Sequence, residues 1–170
     1  MKKIVIGLMV VVLAFAMTAC SDGGEEGTGT ESSTAVSYDF TAAELAGYIN
    51  ENVTFTDFMD VVDPATVCEL YGVDASKVTD SCTYFSTGAT AEEICVMSVS
   101  GDDGEDALSE INRAFNKRID DQIESFTDYV PAELDKLKDP LIMEIGNSVV
   151  MVVCDDPDQA KTAILEYINE

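Results

Sequence analysis

The sequence predicts an α+β domain: a four-stranded antiparallel sheet from two ββα units, with helices packed on one face, preceded by two short helices. Two observations support this prediction. Apolar, strand-like runs occur in pairs joined by short turns, and each pair is followed by a segment with helical periodicity. Strands in hairpins with helices returning over them are typical of the α+β class. We expect this single domain to span residues 39–170.

The first short helix is expected over residues 42–51. Thr41 and Glu44 have the spacing of a capping box, in which each side chain bonds to the backbone of the other. The stretch that follows, residues 54–62, shows no decisive pattern.

The second short helix is expected over residues 64–71. Asp63 is a favoured N-cap residue, Pro64 suits the first helical position, and Gly72 is a typical C-terminal stop.

The first ββα unit follows. Residues 78–86 and 92–99 are predicted strands, joined by a turn at residues 87–90. A long helix is predicted over residues 105–129, because apolar side chains recur at intervals of three and four: Leu108, Ile111, Phe115, Ile119, Ile123 and Phe126.

The second ββα unit begins after one or two helical turns at residues 131–137. Its strands are predicted at residues 141–145 and 148–154, joined at Gly146-Asn147 as a two-residue hairpin turn. A final helix is predicted to reach residue 168, with these side chains facing inward: Ala160, Ala163, Ile164 and Tyr167.

The N-terminal residues have the layout of a secretory signal. Lys2 and Lys3 precede an apolar run over residues 4–17, which is shorter than the roughly 20 residues needed to span a bilayer. The run ends in Met-Thr-Ala-Cys at residues 17–20, which resembles the lipobox of bacterial lipoproteins. The resemblance implies cleavage before Cys20 and lipidation of its sulfur.

This layout predicts three segments and a location. Residues 1–19 would be the lipoprotein signal peptide, and residues 20–38 the lipidated cysteine and a flexible acidic linker. The domain would then lie on the extracytoplasmic face of the cell membrane, held there by lipid on Cys20.

The charge excludes some partners. The whole chain has a net charge of −24, and loss of Lys2 and Lys3 with the signal would leave 33 acidic and seven basic residues, or −26. Nucleic acid and anionic lipid headgroups both require a basic face, so we expect no nucleic-acid partner. Solubility alone is a sufficient reason for such a charge.

Residue types restrict the chemistry further. The chain has no histidine, which removes the commonest general base and metal ligand. Besides Cys20 it has four cysteines: Cys68, Cys82, Cys95 and Cys154. Their even number in an extracytoplasmic protein allows disulfides, and the alternative is that they are buried free thiols.

Glu92 and Glu93 are the first candidate site residues. Paired carboxylates can do acid–base work, or one can be held by an arginine. Neighbouring strand residues face opposite ways, so the two acids should not act as a dyad. The simpler interpretation is that one faces solvent and the other pairs with Arg113 or Arg118.

Arg118, Gln122 and Tyr129 form a second candidate group. They lie one to three turns apart on the predicted long helix, and they could receive an anionic or amide group. The alternative is that they brace the helix against a neighbouring loop.

The oxygen-rich segment before the long helix is a weak candidate calcium site, through Asp102, Asp103 and Asp106. An EF-hand is excluded, because position 12 counted from Asp102 is Arg113. Acids at a helix start also stabilise its dipole without any ion. We expect no other cofactor.

Several segments in this order resemble the bacterial lipoprotein domain catalogued as domain-of-unknown-function family 4358, found mainly in Gram-positive anaerobes. They are Leu70-Tyr71-Gly72-Val73-Asp74, Ala91-Glu92-Glu93-Ile94-Cys95-Val96, Arg118 with Gln122, Phe126-Thr127-Asp128-Tyr129-Val130-Pro131, and Gly146-Asn147-Ser148-Val149-Val150. The resemblance implies a location and an architecture but no activity.

These observations favour a non-catalytic binding or protein-interaction domain, tethered to the membrane and facing an extracytoplasmic protein partner. One alternative is a small enzyme using carboxylates or a divalent ion. Another is an accessory solute-binding lipoprotein, although two-lobed binders are considerably longer than this chain.

Overall fold

An open antiparallel sheet of five strands forms the centre of the domain. The computed structural model describes residues 38–100 and 104–169. The elements in chain order are α1 (Ala42–Asn52), β1 (Asp60–Val62), α2 (Pro64–Tyr71), a 3₁₀ turn (Ala75–Lys77), β2 (Val78–Phe85), β3 (Glu93–Val99), α3 (Gly104–Tyr129), a second 3₁₀ turn (Pro131–Glu133), α4 (Leu134–Lys138), β4 (Leu141–Ile145), β5 (Ser148–Val153) and α5 (Pro157–Asn169).

The strands lie in the order β1-β2-β3-β5-β4, and every neighbouring pair is antiparallel. β3 and β5 are central, with Glu93 opposite Val153 and Ser98 opposite Ser148. The two predicted hairpins are therefore both present, and their inner strands pair with each other.

The predicted four-stranded sheet is wrong by one strand. β1 adds an edge, with Asp60 opposite Phe85 and Val62 opposite Thr83. β1 has only three residues and none of them is buried, so it lacks the alternation of apolar and polar residues by which a strand is predicted.

The prediction that helices cover one face of the sheet is also wrong. α1 and α5 pack on one face, against β3 side chains such as Ile94 and Val96. α2, α3 and α4 pack on the other, against Cys95 and Met97. Successive side chains of β3 point to opposite faces, and all seven residues of this strand are buried, so both faces need a cover.

The helix ends follow the predicted chemistry. Thr41 and Glu44 form the capping box of α1, with the Thr41 backbone N–H donating to the Glu44 carboxylate at 2.9 Å. Asp63 caps α2, and Gly72 ends it in the left-handed conformation at φ 68°. These predictions of α1 and α2 are confirmed.

The amino-terminal end of α1 lies at one end of the sheet. The backbone N–H of Ala42 donates to the Asp80 carboxylate at 2.7 Å, and Asp80 is opposite Ser98 near the end of β3. After α1, the backbone N–H of Thr56 donates to Glu92, next to the first residue of β3. α1 therefore runs along the sheet from one end to the other.

The expected signal peptide, the lipidation site Cys20 and residues 20–37 of the linker lie outside the described residues. Within residues 38–100 and 104–169, no helix combines the length and apolar character needed to cross a membrane.

Candidate functional site

A cavity of about 300 Å³ opens between the β2–β3 connection and α3. Segment 85–90 contributes to one wall, and Glu92 and Glu93 line the cavity where β3 begins. The other wall is a single stripe of α3, at helical spacing: Arg118, Asp121, Gln122, Ser125 and Phe126. We call this space the α3 cavity.

Glu93 is the centre of a buried polar group, which we call the Glu93 cluster, with Tyr71, Arg118 and Gln122. Its side chain is 1% exposed. Arg118 Nη2 donates to Glu93 Oε2 at 2.8 Å, and Arg118 Nε lies 3.2 Å from the same oxygen. Gln122 Nε2 also donates to Oε2 at 2.8 Å, while the Tyr71 hydroxyl donates to Oε1.

Arg118 is held by more than its ion pair. Its guanidinium carbon lies 5.3 Å from the centre of the Phe85 ring and 5.9 Å from that of Tyr71. The Tyr71 ring in turn packs edge-on against buried Phe115, at 5.5 Å between ring centres. The guanidinium is therefore held with its Nε and Nη2 on Glu93, which leaves Nη1 without a hydrogen-bond partner among the described residues.

Gln122 leaves one polar atom unpaired. Its Nε2 is committed to Glu93, but its Oε1 is buried and has no hydrogen-bond partner among the described residues. The residue is only 6% exposed, and it lines the α3 cavity. An unpaired buried acceptor costs about 1–3 kcal/mol, so such an atom requires an explanation.

Two effects oppose each other at Glu93. Burial raises the pKa of Glu93, while the charge of Arg118 and the hydrogen bonds from Arg118 and Gln122 act to lower it. Burial prevails, so the pKa of this carboxyl lies above its ordinary value. The charged form depends on its donors remaining in place.

Glu92 is buried in a different group, the Glu92 cluster. Its carboxylate accepts the backbone N–H groups of Thr56 at 2.8 Å and Asp57 at 2.9 Å. It also accepts the Thr90 hydroxyl at 3.1 Å and Lys136 Nζ at 3.0 Å. Glu92 thereby ties the segment after α1 to α4.

The pKa of Glu92 is lowered. Burial alone would raise it, but the two backbone N–H groups and Lys136 outweigh burial. The pKa of Lys136 is raised, because its hydrogen bonds to Glu92 and Glu133 outweigh the effect of burial. Both groups are therefore held in their charged forms.

The structure brings together some of the predicted site residues and separates others. Arg118 and Gln122 meet at Glu93, and of the two arginines proposed as partners it is Arg118 that pairs with an acid. The expectation that one of the acids faces solvent is wrong, since Glu92 and Glu93 are each 1% exposed. Tyr129 is 78% exposed and lies outside both clusters.

The candidate calcium residues do not form a described site. Asp106 is exposed in the first turn of α3, and Asp102 and Asp103 lie outside the described residues. No group of three metal-ligating side chains occurs within the part of the chain that the structure describes.

The four described cysteines are free and buried: Cys68, Cys82, Cys95 and Cys154. The alternative of buried thiols, left open by the sequence, is the one that the structure contains. Thr83 donates to Cys95 Sγ at 3.1 Å, within the sheet.

Sequence reasoning missed Tyr71 and Lys136. Tyr71 is the last residue of an apolar helix face, where an aromatic residue is expected merely to pack. Lys136 is 8% exposed and stands three residues after Glu133, with which it pairs at 3.0 Å. The three-residue spacing of Glu133 and Lys136 is a sequence signal for their ion pair. No sequence pattern indicates that this pair lies next to Glu92.

Comparison with protein-family models gives a match. The family model described as "Domain of unknown function (DUF4358)" matches residues 51–154, more than half of the chain. No match was found among curated proteins or solved structures. The matched region includes all residues of both clusters, and the family expected from the sequence is confirmed. The chain belongs to the DUF4358 family.

Proposed function

We propose that this protein is a lipid-anchored, extracytoplasmic domain that binds a ligand in the α3 cavity without transforming it. The observation that supports binding most directly is Gln122 Oε1, a buried acceptor without a partner beside a cavity. A ligand that donates to this atom would recover the hydrogen bond that folding leaves unmade.

The saturation of the acids supports binding over catalysis. Glu93 accepts from Tyr71, from two nitrogens of Arg118 and from Gln122. Glu92 accepts from two backbone N–H groups, a hydroxyl and an ammonium. A general base needs a lone pair directed at its substrate, whereas these carboxylates orient the side chains around them.

The anchor is supported by the N-terminal pattern. A lipoprotein signal has a basic start, an apolar run and a cysteine directly after the cleavage site. This chain has Lys2 and Lys3, an apolar run of about fourteen residues, and Cys20. Two acyl chains on Cys20 would hold the domain firmly, because each buried methylene contributes about 0.8 kcal/mol.

The anchor is tested by labelling cells with an alkyne analogue of palmitate. We expect the label on the full chain in the membrane fraction, and none on the Cys20→Ala variant. A Cys20→Ala chain that still carries label, or a wild-type chain without it, would refute lipidation at Cys20.

Binding is tested with the full-length chain in detergent micelles, screened against a library of amides, acids, amines, sugars and short peptides by thermal shift. Ser125→Trp would fill the cavity from an exposed wall position outside the Glu93 cluster. Glu124→Trp, its exposed neighbour that does not line the cavity, is the matched control.

We expect a stabilising ligand whose effect disappears in Ser125→Trp and persists in Glu124→Trp. Equal stabilisation of both variants would place binding elsewhere, and no stabilising ligand in the library would count against a binding function.

A further inference from the structure

The geometry of the Glu93 cluster points to the class of ligand, and this inference rests on the proposed function. We propose that the α3 cavity takes a primary carboxamide group, in which one N–H donates to Gln122 Oε1 and the carbonyl oxygen accepts from Arg118 Nη1.

Charge favours a neutral group. Arg118 is paired with Glu93, and on the same wall Asp121 is paired with Lys117. An anion would therefore meet an arginine that is already neutralised, in a chain of net charge −24. A cation would be placed against the guanidinium of Arg118. Neither an anionic nor a cationic ligand would therefore meet an unpaired group of opposite charge on these two cavity walls.

Hydrogen-bond geometry favours a primary amide among neutral groups. Gln122 Nε2 and Arg118 Nη2 both donate to the same oxygen, Glu93 Oε2, so the ends of the two side chains are neighbours. Gln122 then offers an acceptor, Oε1, and Arg118 offers the two donors of Nη1. A primary amide has an N–H and its carbonyl oxygen on one edge, whereas a trans secondary amide has them on opposite edges.

The aromatic walls suit the remainder of such a ligand. Phe85 and Phe126, both partly buried, line the cavity from its two sides. Gln122 Oε1 is closed to solvent, so the α3 wall must open for the ligand to reach it. Ser125 and Phe126 line the cavity on the same helical stripe as Gln122, and neither is fully buried, so we expect rotamer changes at these positions to provide the opening.

The experiment compares four probes on one scaffold: benzamide, N-methylbenzamide, benzoate and benzylamine. Binding to the full-length chain in micelles is followed by ligand-observed NMR, with empty micelles as the blank. We expect saturable binding of benzamide and at least tenfold weaker binding of the other three.

Gln122→Met keeps the length of the side chain but removes both polar atoms. We expect it to abolish benzamide binding, whereas Glu124→Trp leaves binding unchanged. Because Gln122→Met also removes a bond to Glu93, its fold is checked by circular dichroism. Ser125→Trp, which leaves the cluster intact, must abolish binding as well.

The outcomes separate the two proposals. Preferred binding of benzoate or benzylamine, lost in Ser125→Trp, would overturn the carboxamide proposal and leave the α3 cavity as a binding site. Binding of none of the four probes would overturn the carboxamide proposal, and a failed library screen would then overturn the binding function too. Free glutamine and acetyl-dialanine amide, added as further probes, distinguish a solute amide from an amidated peptide end.

Discussion

Glu92 and Glu93 are adjacent in the chain, and each is buried against a different set of donors. Glu93 faces the α2 and α3 layer, where Tyr71, Arg118 and Gln122 donate to it. Glu92 faces the backbone after α1 and Lys136. The two-residue period of a strand separates them, so each acid has its own stability effect and its own response to pH.

Glu93→Gln should strongly destabilise the protein. The substitution removes the counter-ion of Arg118, which is partly buried. Breaking a buried ion pair costs about 3–5 kcal/mol. Urea unfolding measures the loss, with exposed Glu124→Gln as the control at about 0.5 kcal/mol or less. A loss below about 1 kcal/mol in Glu93→Gln would show that Arg118 does not depend on this acid.

Glu92→Gln should lose stability in a pH-dependent way. The pKa of Glu92 is lowered in the folded state, so its contribution is fully present above its ordinary pKa of 4.5 and is lost as pH falls through the folded value. The wild type should therefore exceed Glu92→Gln by about 3 kcal/mol at pH 7. We expect this difference to shrink below about pH 4.5.

Urea titrations of both proteins from pH 3 to pH 7 measure that difference. Asp57, whose pKa is also lowered, is present in both proteins, so its contribution largely cancels. A difference that stays constant over the whole range would contradict the charged role of Glu92.

At the scale of elements, the helix ends and turns are set by local chemistry. Gly72 ends α2 with a positive φ that an L side chain rarely adopts, and no atom lies within 4 Å of the position of an added Cβ. Gly47 is inside α1, where its added Cβ would only make an ordinary contact of 3.8 Å with the Tyr84 hydroxyl. The backbone conformation at Gly72 therefore requires glycine, whereas Gly47 can be replaced by alanine.

Gly72→Ala should destabilise the protein by about 1 kcal/mol, because the cost is backbone strain. Gly47→Ala should stabilise it by about 0.5–1 kcal/mol, since alanine loses less conformational freedom within a helix. Thermal unfolding of the two variants beside the wild type checks both signs. If Gly72→Ala left the stability unchanged, the end of α2 would not require a residue in the left-handed backbone conformation.

The same local chemistry explains how much of the fold is predictable from the sequence. The predicted α2 and β4 have the observed bounds, because caps, turns and apolar periodicity are signals carried by neighbouring residues. β1 is too short to have such a signal. Whether helices cover one face or two depends on the path of the chain, which no local pattern contains.

The sequence likewise predicts only the local part of the candidate site. Arg118 and Gln122 stand one turn apart, so their common direction follows from helix geometry. Their meeting with Glu93 spans 25 and 29 residues of chain, and that of Tyr71 with Glu93 spans 22. Such contacts form only when the whole domain folds, so the sequence carried no signal that joins Tyr71 to Glu93 or Lys136 to Glu92.

At the scale of the whole molecule, three layers enclose the four described thiols. Burial raises the pKa of Cys154 to about 11 and that of Cys95 well above its ordinary value. The thiolate is the reactive form, so both factors slow modification in the native state. Cys68 and Cys82 are buried as well.

Native protein should therefore react slowly with iodoacetamide at pH 8, and the unfolded protein should be modified at all four of these cysteines. Intact-mass spectrometry before and after unfolding counts the added groups. A reducing agent should leave the melting temperature unchanged. Fewer than four modifications in the unfolded, unreduced protein would indicate a disulfide.

The course of α1 along the sheet defines two different ends of the domain. The chain enters at Ala42, beside Asp80 and Ser98, while Glu93 and the α3 cavity lie at the opposite end of β3. Ser98 is five positions after Glu93 in β3, which corresponds to a rise of about 17 Å. The amino-terminal end of α1 and the α3 cavity therefore lie at opposite ends of the sheet. A substitution near Ala42 or Asp80 can therefore change the stability of the sheet without contacting a ligand in the cavity.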